Sequence, residues 1–433
     1  MGNKGLYNDE CSGTTGDDTQ HEVEADKVTA NVFFDGTLNN YFNVKAAENL
    51  AKKVATQEEA EANQKHGGDD TSYANDFSNV ARMWKGLFGE RDGPEPAVYV
   101  EGIGTTKLDA DSLAGYGAGM GDTGIDVRVD GAFAPLKEKV NKKCGAAGLP
   151  ALLEINVFGF SRGAAAARLF VHKVLTERPL HFGGTWAKVL LRINFVGLFD
   201  TVSSHGARYG NDVAELHLKL DHTRVKRVFQ LVALDEYRER FALTTIASAV
   251  EGGKGYELHI PGAHSDVGGG YKEAEPETRD LTPTHTTHPA KAMPQTVRGT
   301  RDFAYAQGWY APSDAPDKWW GKSATHSRTV KGDYYRVALS LMVDQAKKHT
   351  STDYPDSLLK PSTYPQIEAV RSALRQFAQS DANTRWVLDE QLGTAVAQAF
   401  RHQHLHVSYI EGSLAKGPHF KDDATLERHY ESA

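Results

Sequence analysis

Cysteine is almost missing from this sequence: only Cys11 and Cys144 occur among 433 residues. Two thiols cannot build a disulfide framework or a Cys-rich zinc site. The fold is therefore expected to suit a reducing compartment. Cationic excess is missing too. Lys+Arg number 49 against 57 Asp+Glu, for a formal net charge of −8. That balance excludes a strongly basic nucleic-acid binder, because phosphate neutralisation needs clustered Lys and Arg. Long apolar runs are also lacking. The most apolar stretch, Ala151 to Phe160, is interrupted by Glu154. It is about half the roughly 20 residues that a membrane-spanning helix needs. The opening residues, MGNKGLYNDECSGTTGDDTQ, lack the apolar core of a secretory signal peptide. Neither a transmembrane segment nor signal-peptide export is expected, so work outside the cytoplasm would need another carrier.

What is present reads as an α/β chain. Seven acids against Lys4 and Lys27 make residues 1–27 an expected flexible acidic arm. A strand running into a turn is predicted over Lys27 to Thr37. Val44 to Gly68 reads as a solvated helical insertion, and Asn79 to Phe88 as a second helix. PAVYVEGIGT (Pro96 to Thr105) reads as a strand; a Gly-rich segment, Gly115 to Ile125, then leads into a helix ending near Lys143. ALLEINVFGF, RINFVGLFD and GYELHIPGAH read as further strands, with a helix opening at SRGAAAARLFVHKVL. VKRVFQLVALDEYRERF carries helical apolar spacing. Strands alternating with helices predict a mainly parallel sheet flanked by helices, as a core over 28–271. Six prolines between Tyr271 and Lys331 predict a long irregular loop or lid over 272–331. Residues 332–433 are expected to be mainly helical and to complete the catalytic domain, with RHQHLHVSYI as a late strand. No internal repeat is present.

Gly159-Phe160-Ser161-Arg162-Gly163 fits G-x-S-x-G. The pentapeptide alone is common; its placement between an apolar strand and a small-residue helix start is what raises it. Only a sharp strand-to-helix turn lifts the serine hydroxyl above a sheet, and that crowded turn needs Gly159 and Gly163. A serine needs a base, and the base an orienting acid. Asp200 and His264 each end a predicted strand and follow Ser161 in the order Ser, Asp, His. Asp266 competes with Asp200 for the acid role or pins the His264 loop. The backbone N–H groups of Arg162 and Gly36 are the candidate oxyanion donors, with Asp35 folding the Asp35-Gly36-Thr37 turn. Asp35 also invites comparison with D-x-D-G-T phosphatases, but Phe33 stands where their first Asp is needed.

Other features carry weaker chemistry. Phe303, Tyr305, Trp309, Tyr310, Trp319 and Trp320 suit either a docking loop over Ser161 or rings packed onto the body. His402, His404 and His406 would share one face of a strand, yet lack the further ligands of a metal site. His285 and His288 lie in a Thr/Pro loop. The glycines between Gly115 and Gly124 lack any phosphate-loop ending and read as a flexible active-site loop. No metal and no cofactor are expected.

FFDGTLNN, VYVEGIGT, GFSRGAAAAR, FVGLFDTV, ALDEYRERF and PGAHSDVGGGY, in this order, resemble the first group of type VI secretion lipase effectors. The likeness runs from Asn31 to Tyr271 and more weakly to about Glu411. It implies an α/β-hydrolase fold and phospholipase A activity on membrane glycerophospholipids. It implies Ser161 as nucleophile, Asp200 as triad acid and His264 as base. It also implies carriage by a type VI secretion spike protein, action in the periplasm of a competing bacterium, and a cognate periplasmic immunity protein. Phe199 stands where a Trp is common in that family, and the Val44 to Asp70 insertion is an addition. A soluble esterase or thioesterase with the same triad, and a non-catalytic effector, are the alternatives.

Overall fold

The structure, a computed structural model, describes residues 26–69, 71–87, 93–112, 121–203, 213–280, 303–315, 325–408 and 428–433. The expected acidic arm, except for its last two residues, lies outside them. So do His285, His288, Trp319, Trp320 and most of the Gly-rich segment.

The strands follow one another as β1 (Lys27–Phe34), β2 (Ala97–Val100), β3 (Leu152–Phe160), β4 (Leu190–Phe199), β5 (Val225–Ala233), β6 (Leu243–Thr244) and β7 (Gly255–Ile260). All but β6 form one parallel sheet in the order β2-β1-β3-β4-β5-β7. Parallel strands covered on both faces read as near-continuous apolar runs, and β3 is buried at every position. Ala30, Val32, Phe34, Leu153, Ile155 and Val157 belong to one core layer. That layer is closed by α4 (Ile125–Cys144) and α5 (Arg162–Thr176), which follow α1 (Tyr41–Ala51), α2 (Gln57–His66) and α3 (Asn79–Leu87). Phe33, Phe158, Phe195 and Phe229 belong to the opposite layer. There the Phe33 and Phe158 rings stack at 5.0 Å. Past the short α6 (His264–Gly268), β8 (Glu275–Asp280) and β9 (Thr325–Val330), the helix α7 (Tyr335–His349) covers this second face together with α3. Helices α8 (Pro365–Phe377) and α9 (Thr394–His404) follow, and β10 (Tyr430–Glu431) pairs with β6. The α/β architecture read from the sequence is the one observed.

Four local expectations are corrected. Val225 to Phe241 is no helix: its first nine residues are β5, inserted between β4 and β7. Val44 to Gly68 is two helices, because Thr56 and Glu59 form a capping box that starts α2. The 272–331 segment is not wholly irregular, since β8 and β9 pair antiparallel. Within it Trp309 and Tyr310 are buried, and Phe303 and Tyr305 pack against the core, so these rings face inward rather than forming an exposed docking surface. His402 and His404 end α9 and His406 follows without a strand, so the three do not share a strand face. Among the described residues no three His, Cys, Asp or Glu side chains could hold a metal ion. No helix among them is long and apolar enough to cross a membrane.

Candidate active site

Strand β1 sits between β2 and β3, so the chain leaves β1 toward one edge of the sheet and returns to its other side. Open α/β sheets place ligands beyond the strand C-termini at such a reversal. The turns after β1 and β3 meet there. Ser161 joins β3 to α5 with φ 58° and ψ −129°. A non-glycine residue held at positive φ stores roughly 1–3 kcal/mol of strain and persists only where its surroundings enforce it. Here a Cβ on Gly159 would fall 2.5 Å from the Ala164 Cα, and one on Gly163 would fall 2.2 Å from the Asp35 carbonyl oxygen. Both glycines are therefore required by contact, and Ala164 to Ala167 are fully buried behind them.

Asp200 follows β4, the strand beside β3. The Ser161 N–H donates to the Phe199 carbonyl at 3.0 Å, which sets the two turns side by side. His264 opens α6 after β7. Its Nδ1 lies 2.6 Å from Asp200 Oδ2. Its ring packs 4.7 Å from the ring of Phe160, the residue before Ser161. All three candidate side chains are buried. Burial pushes the Asp200 carboxyl up, but Arg428 and then His264 outweigh it and hold the carboxyl well below the usual range. Burial lowers the His264 imidazole below its ordinary value, against the opposing pull of Asp200. A neutral imidazole fixed through Nδ1 leaves Nε2 as the basic atom.

Asp266 is not the partner of the His264 ring. Its Oδ1 pairs with His406 Nδ1 at 2.7 Å, and its Oδ2 accepts the Ala263 and His406 N–H groups at 2.9 and 3.0 Å. It pins the start of α6 to the segment after α9. Asp35 does fold its own turn. Its Oδ1 accepts the Gly36 N–H at 2.8 Å, and its Oδ2 accepts the Tyr99 hydroxyl at 2.5 Å. That bond corrects one expectation, since the Gly36 N–H is committed to Asp35 rather than open to a substrate oxygen. Glycine is still needed at 36, where a Cβ would stand 2.5 Å from the Phe160 ring. The neighbouring Thr37 hydroxyl is buried without a partner among the described residues. Burial raises Asp35 to about 6, against hydrogen bonds from Ser78, Tyr99 and Gly36. Arg162 is the first residue of α5, so its N–H lies at the positive end of that helix.

Two groups at the site escaped the sequence reading. Glu236 is fully buried, and its Oε2 accepts the His264 N–H at 3.3 Å. Arg428 forks onto Asp200. Glu236 had a signal in the quoted ALDEYRERF motif; Arg428 had none.

Residues 176–288 match the family described as the Tle1-like catalytic domain of type VI secretion phospholipase effectors. No curated protein matches the chain. Among solved structures, the Tle1 effector bound to the VgrG spike of the type VI secretion system is similar over 89% of this chain and 84% of that one. The identity is 21% and the TM-score 0.59. An uncharacterized protein from Pseudomonas aeruginosa is similar over 82% of this chain and 50% of that one, at 17% identity and a TM-score of 0.42. The resemblance carried by the motifs therefore returns in a family match over residues 176–288 and in an overall fold similar to that of the Tle1 effector.

Proposed function

We propose that the protein is a serine phospholipase of the phospholipase A type, working as an antibacterial type VI secretion effector. The observation that carries this reading is the 2.6 Å contact of His264 Nδ1 with Asp200 Oδ2 beside the strained Ser161 turn. The Ser161 hydroxyl passes its proton to His264 Nε2 as its oxygen attacks the acyl carbonyl carbon. Asp200 orients the imidazole and stabilises its cation. The tetrahedral intermediate collapses, and the lysophospholipid alcohol leaves with the proton from His264. Water then gives a proton to His264 and attacks the acyl-serine, and the fatty acid departs as Ser161 regains its hydrogen. The Arg162 N–H supplies one oxyanion donor at the start of α5. With the Gly36 N–H held by Asp35, the second falls to Thr37.

Glycerophospholipid as substrate is supported by the family match over 176–288. A spike protein as carrier is supported by the similar Tle1 effector, which is bound to VgrG. Action in the periplasm of a target cell, and a cognate periplasmic immunity protein, follow from the same reading. Residues 28–271 supply the triad, and 332–433 complete the catalytic domain around it.

The test is fatty-acid release from phosphatidylethanolamine/phosphatidylglycerol liposomes by wild type and Ser161→Ala. Release that falls by roughly 10³-fold or more in the variant is expected. Cleavage of short-chain esters without release from liposomes would overturn the phospholipid assignment.

A further inference from the structure

The Asp200 carboxylate receives four hydrogen bonds, and His264 supplies only one. The Ala233 N–H donates to Oδ1 at 2.9 Å. Arg428 supplies the other two, Nη1 to Oδ1 at 2.5 Å and Nη2 to Oδ2 at 2.9 Å. Arg428 is 4% exposed and lies 228 residues from Asp200 in the chain. Its other donors are also used. Nε and Nη2 reach the Phe241 carbonyl at 3.2 and 3.1 Å, and Nη1 reaches the Ala233 carbonyl at 3.1 Å. A guanidinium has five N–H groups, and these contacts occupy all of them. Two of the residues so held touch the base. Asp200 bonds the His264 ring, and the Phe241 ring stands edge-on to it at 5.1 Å. Arg428 is itself anchored. The Leu243 N–H donates to the His429 carbonyl at 2.9 Å, β10 pairs with β6, and Glu431 accepts the Ser203 hydroxyl at 3.0 Å.

We propose that Arg428 is a positioning residue for this reaction: it locks Asp200 and the Phe241 backbone so that His264 has one orientation, and its charge sets how firmly the Asp200–His264 pair holds a proton. The inference rests on the serine-hydrolase reading above. The pair carries one proton when neutral and a negative charge when that proton leaves. Arg428 stabilises the negative state. Beside the pair, the charges of Glu236 and Arg238 oppose one another. Glu236 is bonded to Arg238, and Arg238 lies over the Phe241 ring. Asp266 is held by His406. The Tyr430 phenol is pushed up by burial and stays neutral. Removing the Arg428 charge therefore raises the pH at which the pair loses its proton.

The experiment measures kcat and KM against pH on a soluble short-chain p-nitrophenyl ester, for the full chain as wild type, Ser161→Ala, Arg428→Met and Arg428→Lys. In Arg428→Met the acid limb of kcat/KM is expected to move up by about one pH unit or more. Its kcat should fall roughly 10²-fold, with KM little changed. Arg428→Lys keeps the charge but not the fork, so it should keep the wild-type acid limb and lose about tenfold in kcat. A merely structural role would lower yield or Tm and leave the limb in place. The proposal is overturned if Arg428→Met keeps the wild-type limb, or if Arg428→Lys moves it by a full unit. If Arg428→Met does not fold, Arg428→Lys decides alone: wild-type kcat or a shifted limb overturns the proposal. A silent Ser161→Ala beside an active wild type separates these failures from failure of the serine reading, in which the two would be equal.

Discussion

Asp200 and His264 are 64 residues apart in the chain and 2.6 Å apart at Oδ2 and Nδ1. An amide at 200 would keep the shape and lose the charge, and it would favour the wrong imidazole tautomer. Asp200→Asn is therefore expected to lower kcat by roughly 10³–10⁴-fold with little change in KM. Steady-state kinetics on a soluble ester checks this; a loss confined to KM would contradict it.

Burial places the His264 imidazole below its ordinary value. The base must be neutral to act, so the acid limb of kcat/KM should lie below the ordinary histidine value of about 6.5. A pH profile of the wild type reads this directly. A limb at or above that value would contradict it.

Asp35 is raised to about 6 in the folded protein, from an ordinary value of 3.8. Between those values the folded state holds a proton that the unfolded state has lost. Asp35 therefore favours the fold at low pH, and that favour is lost as the pH rises through about 6. Against Asp35→Asn, which has no such titration, wild type should gain relative stability of up to about 3 kcal/mol as the pH falls from 7.5 to 4. Urea unfolding midpoints across that range test the sign. Asp35→Asn should also retain ester hydrolysis far above that of Ser161→Ala, which a phosphatase-type role for Asp35 would not allow.

Gly163 backs onto the carbonyl oxygens of Phe34 and Asp35, where a Cβ would intrude to 2.5 and 2.2 Å. Backbone cannot swing aside as a side chain can. Gly163→Ala should destabilise by about 3 kcal/mol or more, visible as a lower urea midpoint or loss of soluble protein.

Arg328 and Glu277 tie β8 and β9 to the end of α9. Arg328 donates to Glu277 Oε2 and to the carbonyls of Arg401, His402 and Leu405. Both side chains are buried. Arg328→Met leaves the buried Glu277 carboxylate with only the more exposed Arg279 at 3.8 Å, so a loss of roughly 3 kcal/mol is expected in thermal or urea unfolding.

The parts of the molecule legible in the sequence are those fixed by local pattern. The apolar runs of β1, β3, β4 and β7 and the Gly-x-Ser-x-Gly turn each announce themselves within a dozen residues. β5 did not. Val225, Val228, Phe229 and Val232 repeat at helical spacing, yet a strand buried on both faces needs no alternation. The Thr56–Glu59 capping box was legible and would have divided the 44–68 segment. The β8–β9 pair is held partly by the buried Glu277–Arg328 ion pair, which leaves little apolar signature. Asp266 with His406, and Asp200 with Arg428, are joined across 140 and 228 residues. Such contacts have no local mark, which is why the Asp266 role was open and Arg428 was invisible.

The most direct test of the central claim is covalent. A fluorophosphonate reacts with a serine only where a base activates it and oxyanion donors receive the phosphoryl oxygen. Peptide mass spectrometry of the labelled full chain is expected to place one equivalent on Ser161, with none in Ser161→Ala and labelling slowed by orders of magnitude in His264→Ala. Label on another residue, or equal labelling in the His264 variant, would contradict the account.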